Sequence, residues 1–449
     1  MGRLFGTDGI RGEANLFPMD GMTAFTVGQA LTRVLGKGNG KVRIIIGRDT
    51  RISGDMLECA LAAGIASMGG EPCPVGVLPT PAIAFLTADL HMSAGIVISA
   101  SHNPFKDNGI KIFSAHGFKL TDREEQAIED LVLTGGLHQA AAPSQDMGRR
   151  ASVDAPFDRY LSFLRKAFPP DLTMGEIRIV LDTANGAAHR TAPALFSSLG
   201  ARITTIHNTP DGTNINHNCG SQFTRDLRER VRETRASLGL ALDGDGDRLI
   251  AVDEEGREIT GDQIMFICAR ALKEEGRLKN NLLVTSAMSN LGLSKACRRE
   301  GIDRRESRVG DRYVLEEMRR LGAVMGGEES GHVIMLDHHT TSDGVITALR
   351  LIAAMIRERK PLSQLASLMD VYPQRLINVE VRDKPEISSV PGLVEAIGRV
   401  ETLLGDQGRV LVRYSGTQNL CRVMVEGPTD RETEIYCVRL AREVERLIG

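Results

Sequence analysis

Three aspartates alternate with glycine in LDGDGDR, residues 242–248, directly after an apolar run. Asp243, Asp245 and Asp247 crowd like charges together: at about 5 Å each pair costs ~3 kcal/mol at an effective dielectric of 20. The intervening glycines let the backbone curl so that the carboxylate oxygens converge. A hard divalent cation relieves the repulsion, and an all-carboxylate donor set suits Mg²⁺. A solvated acidic turn is the plain alternative, because water cuts each repulsion below ~1 kcal/mol. A calcium loop of the EF-hand kind also fits the aspartate spacing and finds Glu254 at its last ligand position. However, Arg248 fills the slot that demands glycine, and LIAVDEEG reads as strand and turn.

A second stretch, ISASHNPFKDNGIKIF (98–113), places Ser101 and His102 in what reads as an exposed polar loop between two apolar runs. A lone serine here closes a turn. A Ser–His nucleophile pair is a poor fit, because adjacent residues point their side chains apart. Company changes the reading: Lys111 follows in NGIKIF, and Arg11 sits in the glycine-rich FGTDGIRG. If these segments meet the aspartates, Ser101 becomes a hydroxyl beside a metal and several cations. That setting fits a phosphoserine of charge about −1.5 to −2.

Two more segments carry polar groups in pattern. In GGEESGHV (326–333), Glu328, Ser330 and His332 alternate, so an extended segment presents all three on one face, suited to sugar hydroxyls, while a polar turn is the equal alternative. In RYSGTQNLCR (413–422), Arg413 ends an apolar run, Ser415, Gly416 and Thr417 supply hydroxyls and an unhindered backbone, and Arg422 returns on the next run. Two guanidiniums and free N–H groups can form a phosphate cradle, with a hairpin turn carrying solvated arginines as the plain alternative. No Walker-type GxxxxGK[ST] string is present.

Elements able to position these residues can be read from periodicity. Helices are expected at 22–36, 53–68, 186–199, 224–234, 262–272, 289–299 and 311–321. Strands are expected at 41–47, 94–100, 177–182, 201–206, 238–243 and 281–287. After about residue 370 the pattern changes to three alternating strands (INVEVR, GRVLVR, CRVMVEG) with helices near 390–404 and 430–447. The rhythm gives three α/β blocks and a smaller α+β block.

Composition narrows the partners. The chain has 449 residues, 55 basic against 58 acidic side chains and a formal net charge of −3, which removes the electrostatic case for nucleic acid or an anionic membrane. Tryptophan is absent and aromatics are 4%, so stacking platforms are scarce. The seven cysteines are scattered, with no CxxC pair, as in a reducing compartment. The opening MGRLFGTDGIRG lacks the apolar stretch of a signal peptide, and no apolar run approaches ~20 residues. A cytoplasmic protein without a membrane span is expected.

The four segments in this order resemble the α-D-phosphohexomutase family over essentially the whole chain, with FGTDGIRG, ISASHNP, DNGIK, GDQIMF, VGDRYV and HTTSDG as supporting strings. The resemblance implies four domains around a central cleft, three related mixed α/β domains followed by a C-terminal α+β domain, with borders at 1–152, 153–254, 255–370 and 371–449. It implies interconversion of glucosamine 6-phosphate and glucosamine 1-phosphate through a 1,6-bisphosphate, with mannose or glucose phosphates as the alternative. Carried over by motif, Ser101 is the phosphorylated serine and, with Asp243, Asp245 and Asp247, binds one Mg²⁺. Arg11, Lys111 and Arg248 surround the reacting phosphoryl group. Glu328 and Ser330 hold sugar hydroxyls with His332 nearby. Arg413, Ser415, Gly416, Thr417 and Arg422 bind the second phosphate. Glucosamine 1,6-bisphosphate is the expected activator, and the chain is expected as a monomer or homodimer. Lys111 and His332 stand as candidates for the general base. The sequence departs from the usual family pattern at Tyr414, Gln418 and Asn419, and at Glu329, where glutamine or asparagine is common. A magnesium-dependent phosphatase with Asp243 as nucleophile is a different class of reading; it predicts no need for Ser101.

Overall fold

The computed structural model describes residues 4–6, 8–36, 41–135, 137, 141–415 and 419–449. They divide into two compact units, one of residues 1–287 with 303–366, the other of residues 288–302 with 367–449.

The first unit holds three sheets. In the six-stranded sheet, Ala94–Ile98 lies parallel to Arg43–Arg48 and antiparallel to Asp107–Ser114, which pairs in turn with Gly9–Glu13. These inner strands are short β-branched runs. Ile44, Ile46, Ile96, Ile98, Ile110 and Ile112 bury into one core with Leu31, Leu57, Leu61 and Ile65 from the helices Gly21–Leu35 and Gly54–Ser67. The segment around Ser101 and His102 runs between two strands, and the apolar run that follows it is the second of them. Residues 107–114 are a strand, and its register sets Lys111 opposite Val97 and Gly109 opposite Arg11.

The five-stranded sheet has Leu238–Leu242 between Arg178–Asp182 and Leu249–Val252, so the aspartates leave the end of a fully buried strand. In the four-stranded sheet, Met325–Gly327 lies between Leu282–Ser286 and Val333–Met335. The helix Asp311–Leu321 packs on this sheet, and Gly344–Glu358, capped by the Asp343 carboxylate, is almost wholly buried.

In the second unit, Gln374–Glu380, Leu420–Glu426 and Arg409–Tyr414 form an antiparallel sheet in the order first, second, third, with Leu420–Glu426 in the middle. Val423, Val425, Leu393, Val400, Leu440 and Val444 bury between this sheet and the helices Pro391–Leu404 and Asp430–Ile448. The helix Leu291–Arg299 belongs to this unit: Asn290 Nδ2 donates to Tyr372 O at 2.9 Å, and Leu291 N to Glu426 Oε2 at 2.9 Å. All seven cysteines are free, and no helix among the described residues is long and apolar enough to cross a membrane.

Candidate active site

Ser101 is not the exposed loop residue its neighbours in sequence suggest; it is 1% exposed. Burial is tolerated because its polar groups are spoken for. Its hydroxyl donates to Asp243 Oδ2 at 2.6 Å, its N–H donates to Ser99 Oγ at 3.0 Å, and its carbonyl accepts from Arg51 and Asn216. Its φ of 52° lies in the left-handed region that non-glycine residues rarely adopt.

The three aspartates are buried at 0–4% exposure, which excludes the solvated turn. Their oxygens converge within 4.8 Å, and Asp245 Oδ1 and Asp247 Oδ1 are buried with no hydrogen-bond partner. Two such oxygens in an all-oxygen set fit a hard divalent cation. Asp243 Oδ1 accepts from Arg248 N at 3.1 Å, while Thr80 Oγ1 donates to Asp245 Oδ2 at 2.6 Å. Burial, then the charges of Asp247 and Asp245, push the Asp243 carboxyl well above the usual carboxylate range. Burial opposes ionisation of Asp247 as well, but Lys111, His332 and Arg248 outweigh it and hold that carboxyl low.

Cations and acids then alternate around a closed ring. Lys111 Nζ lies 2.9 Å from Asp245, 3.1 Å from Asp8 and 3.6 Å from Asp247. His332 Nδ1 lies 3.7 Å from Asp247, and its Nε2 3.5 Å from Asp311. Lys119 bridges Asp311 back to Asp8, and Asp8 also pairs with Arg11. Arg248 Nε sits 3.9 Å from Asp247. Burial disfavours charge on Lys111, but Asp245, Asp8 and Asp247 overcome it and raise its pKa well above the usual lysine value. That charge suits Lys111 to act as a fixed cation beside the aspartates. His332 is likewise raised, its burial outweighed by Asp247 and Asp311.

The Glu328–Ser330–His332 segment is not extended. Glu328 N donates to His332 O at 3.0 Å and Gly331 N to Glu328 O at 3.1 Å, closing a tight loop in which Gly331 takes φ 87°. The alternation argument fails here, because a hairpin turn breaks the two-residue period. The Glu328 carboxylate accepts from Gly310 N at 2.9 Å, and Arg248 bridges to His332 as a β-pair. Glu329 accepts from Ser286 Oγ at 3.2 Å; burial, then Asp262 and Glu328, push its carboxyl up to about 7.

In the second unit, Arg413 and Arg422 are directly opposed across their strands. Ser415 is buried, its N–H donates to Leu420 O at 2.8 Å, and its carbonyl accepts from Lys384 Nζ at 3.0 Å. Gly416 and Thr417 lie outside the described residues, as does Gln418.

Sequence reasoning gathered Ser101, Arg11, Lys111, Arg248, His332 and the three aspartates, and the first unit brings them together. It missed Asp8, Lys119, Asp311, Arg51 and Asn216. Asp8 and Asp311 stand inside FGTDGIRG and VGDRYV, strings already singled out; Lys119 carried no local signal.

Matches to known proteins agree with this geometry. Residues 2–138, 158–256 and 260–372 match the phosphoglucomutase/phosphomannomutase α/β/α domains I, II and III, and residues 376–443 match the C-terminal domain. The chain belongs to the phosphoglucomutase/phosphomannomutase family, whose members are phosphohexomutases of the isomerase class. Within it, the chain is 62% identical over the full length of both proteins to the phosphoglucosamine mutase of Syntrophobacter fumaroxidans. It is 47% identical to that of Myxococcus xanthus, covering 100% of this chain and 98% of the relative. Among solved structures, a family protein from Burkholderia thailandensis superposes with a TM-score of 0.81 at 22% identity, covering 100% of this chain and 98% of that one. The Aspergillus fumigatus N-acetylphosphoglucosamine mutase, solved with GlcNAc-6P and magnesium, gives 0.70 at 16% identity, covering 100% and 96%.

Proposed function

We propose that the chain interconverts glucosamine 6-phosphate and glucosamine 1-phosphate through a phosphoserine at residue 101. The observation that carries this reading is the buried Ser101 hydroxyl on Asp243, beside a triad with two unbonded carboxylate oxygens. The names of the full-length relatives supply the amino sugar.

The phosphoryl group of Ser101 passes to the free 1-hydroxyl of glucosamine 6-phosphate. The serine P–O bond breaks, a P–O bond to the sugar forms, the hydroxyl proton is released and the serine oxygen takes one up. The resulting 1,6-bisphosphate turns end over end and returns its 6-phosphoryl to Ser101, freeing glucosamine 1-phosphate. Asp243, Asp245, Asp247 and a phosphoserine oxygen would hold Mg²⁺, which neutralises phosphoryl charge when bound. Arg11, Lys111 and Arg248 balance the charge that spreads over the equatorial oxygens. His332 orients within the same ring. Glu328 and Ser330 hold sugar hydroxyls, and Arg413, Ser415, Gly416, Thr417 and Arg422 grip the phosphate that does not react. Domain borders near residues 152, 254 and 370 and a cytoplasmic setting complete the reading.

Peptide mapping after incubation with glucosamine 1,6-bisphosphate tests it. A phosphate on Ser101 that exchanges with the sugar supports the mechanism, as does loss of all turnover in a folded Ser101→Ala variant. Full activity in that variant refutes it. Parallel assays with glucose and mannose phosphates check the choice of sugar.

A further inference from the structure

One carbonyl receives two side-chain donors from different sheets. Arg51 is fully buried against Asp49, with Nε 2.9 Å from Oδ2. Its Nη2 donates to Ser101 O at 3.0 Å and to Asn103 O at 2.9 Å, and its Nη1 to Asp107 O at 2.9 Å. From the other side, Asn216 Nδ2 donates to the same Ser101 O at 2.8 Å and to Asn103 O at 3.0 Å. Both acceptor positions of the Ser101 carbonyl are filled.

The two donors differ in where they are anchored. Arg51 follows the strand Arg43–Arg48, in the same sheet as the strand leading to Ser101, so it shapes the serine loop from within. Asn216 stands on a loop of the five-stranded sheet, the sheet whose strand Leu238–Leu242 delivers Asp243. That loop is fastened at its base: the Asp182 carboxylate accepts from Ala184 N at 2.8 Å, Gly220 N at 2.9 Å and His207 Nδ1 at 2.9 Å. Asn216 N donates to Ala184 O at 3.0 Å. The aspartate loop closes the triangle. A Cβ on Gly244 would fall 2.6 Å from Ser101 O and 2.7 Å from Asn216 Nδ2, so these three segments meet with no room for a methyl group.

We infer that Asn216 is a positioning residue for phosphoryl transfer, its amide holding the serine loop in register with the aspartate loop. The inference rests on Ser101 being the phosphoryl carrier. Ser101 occupies a left-handed conformation that a serine keeps only when its surroundings enforce it. With the Asn216 donor gone, the carbonyl loses its tie to the second sheet while Arg51 keeps the loop folded. The hydroxyl then shifts relative to Asp243, and a displacement of about 1 Å at a reacting atom costs about a hundredfold in rate.

Two substitutions isolate the amide. Asn216 has φ 58°, which glycine adopts freely, so Asn216→Gly removes the donor and keeps the backbone. Asn216→Asp keeps the shape and turns an acceptor towards two carbonyls. The expected result is a kcat lowered about 10- to 100-fold with KM within about twofold, because the amide is spent on backbone and not on substrate. Single-turnover transfer from pre-phosphorylated enzyme should slow by the same factor. A purely structural role would lower the melting temperature and leave kcat in place. Ser101→Ala is measured alongside. If it keeps turnover, the carrier reading falls. If it is inactive while either folded Asn216 variant keeps kcat within about twofold of the parent, the positioning inference is overturned and the carrier reading stands.

Discussion

Around Ser101, Arg11, Lys111, Lys119 and Arg248 each face a carboxylate; across the C-terminal strands, Arg413 faces Arg422. Among the described residues Arg422 forms no ion pair, and its Nε is buried without a hydrogen-bond partner. Like charges directly opposed on paired strands destabilise a sheet. The first region is close to neutral before any ligand arrives and has spare oxygens, so it suits a cation and a group that comes and goes. The second sets two arginines against each other and leaves Arg422 Nε without a hydrogen-bond partner, so it suits an anion that is held without being changed. A mutase that turns its bisphosphate around needs one of each.

The contrast can be broken most sharply at Lys111. Removing a buried cation leaves Asp8, Asp245 and Asp247 facing one another, and breaking a buried pair costs about 3–5 kcal/mol. Lys111→Met should therefore abolish turnover and lower urea-unfolding stability by that amount; a loss below about 1 kcal/mol would remove the case for a balanced network. Next comes the cation. Chelation should lower the melting temperature of the parent protein, and Mg²⁺ at a hundred times its Kd should return about 2.7 kcal/mol. The same titration on Asp245→Asn should give no shift, and an equal shift would place the metal elsewhere.

The second region responds the other way. Arg422→Ala relieves a repulsion, so the apo protein should keep its stability or gain about 0.2–1 kcal/mol. Phosphosugar binding should weaken by about 1.5–3 kcal/mol, the worth of a charged hydrogen bond. Calorimetry showing unchanged affinity would end the cradle assignment.

The smallest effect is set by pH. Burial, then Asp262 and Glu328, raise Glu329 to about 7. The folded state thus binds this proton more tightly than the unfolded chain. Its contribution is fully present below the ordinary glutamate range and is lost as pH rises through about 7. Glu329→Gln should flatten that decline, on the order of 1 kcal/mol between pH 5 and 8 after allowing for partial exposure. Parallel stability curves for parent and variant would show that Glu329 does not carry the proton.

Much of this was legible in the letters. The helices and strands expected from periodicity recur within a few residues, because long amphipathic helices and β-branched runs announce themselves. The aspartate loop was legible too, since alternating Asp and Gly after an apolar strand has few other uses. What stayed hidden depended on distance. Ser101 read as exposed because its partners Arg51, Asn216 and Asp243 lie 50, 115 and 142 positions away. Glu328, Ser330 and His332 read as one face because periodicity does not see the turn that Gly331 permits. Lys119 gave no hint, since only the fold sets it between Asp8 and Asp311.

The aspartate loop is finished from far downstream. Ser342 Oγ donates to Asp247 O at 2.5 Å across 95 positions, and Gly344 N donates to Gly246 O at 3.1 Å. During synthesis the three acids leave the ribosome well before these fasteners do. Hydrated carboxylates repel each other weakly, so the nascent loop can wait open in water at little cost. Its capacity for a metal then matures late, and a chain cut off before residue 342 would carry the complete acidic motif without these two downstream ties.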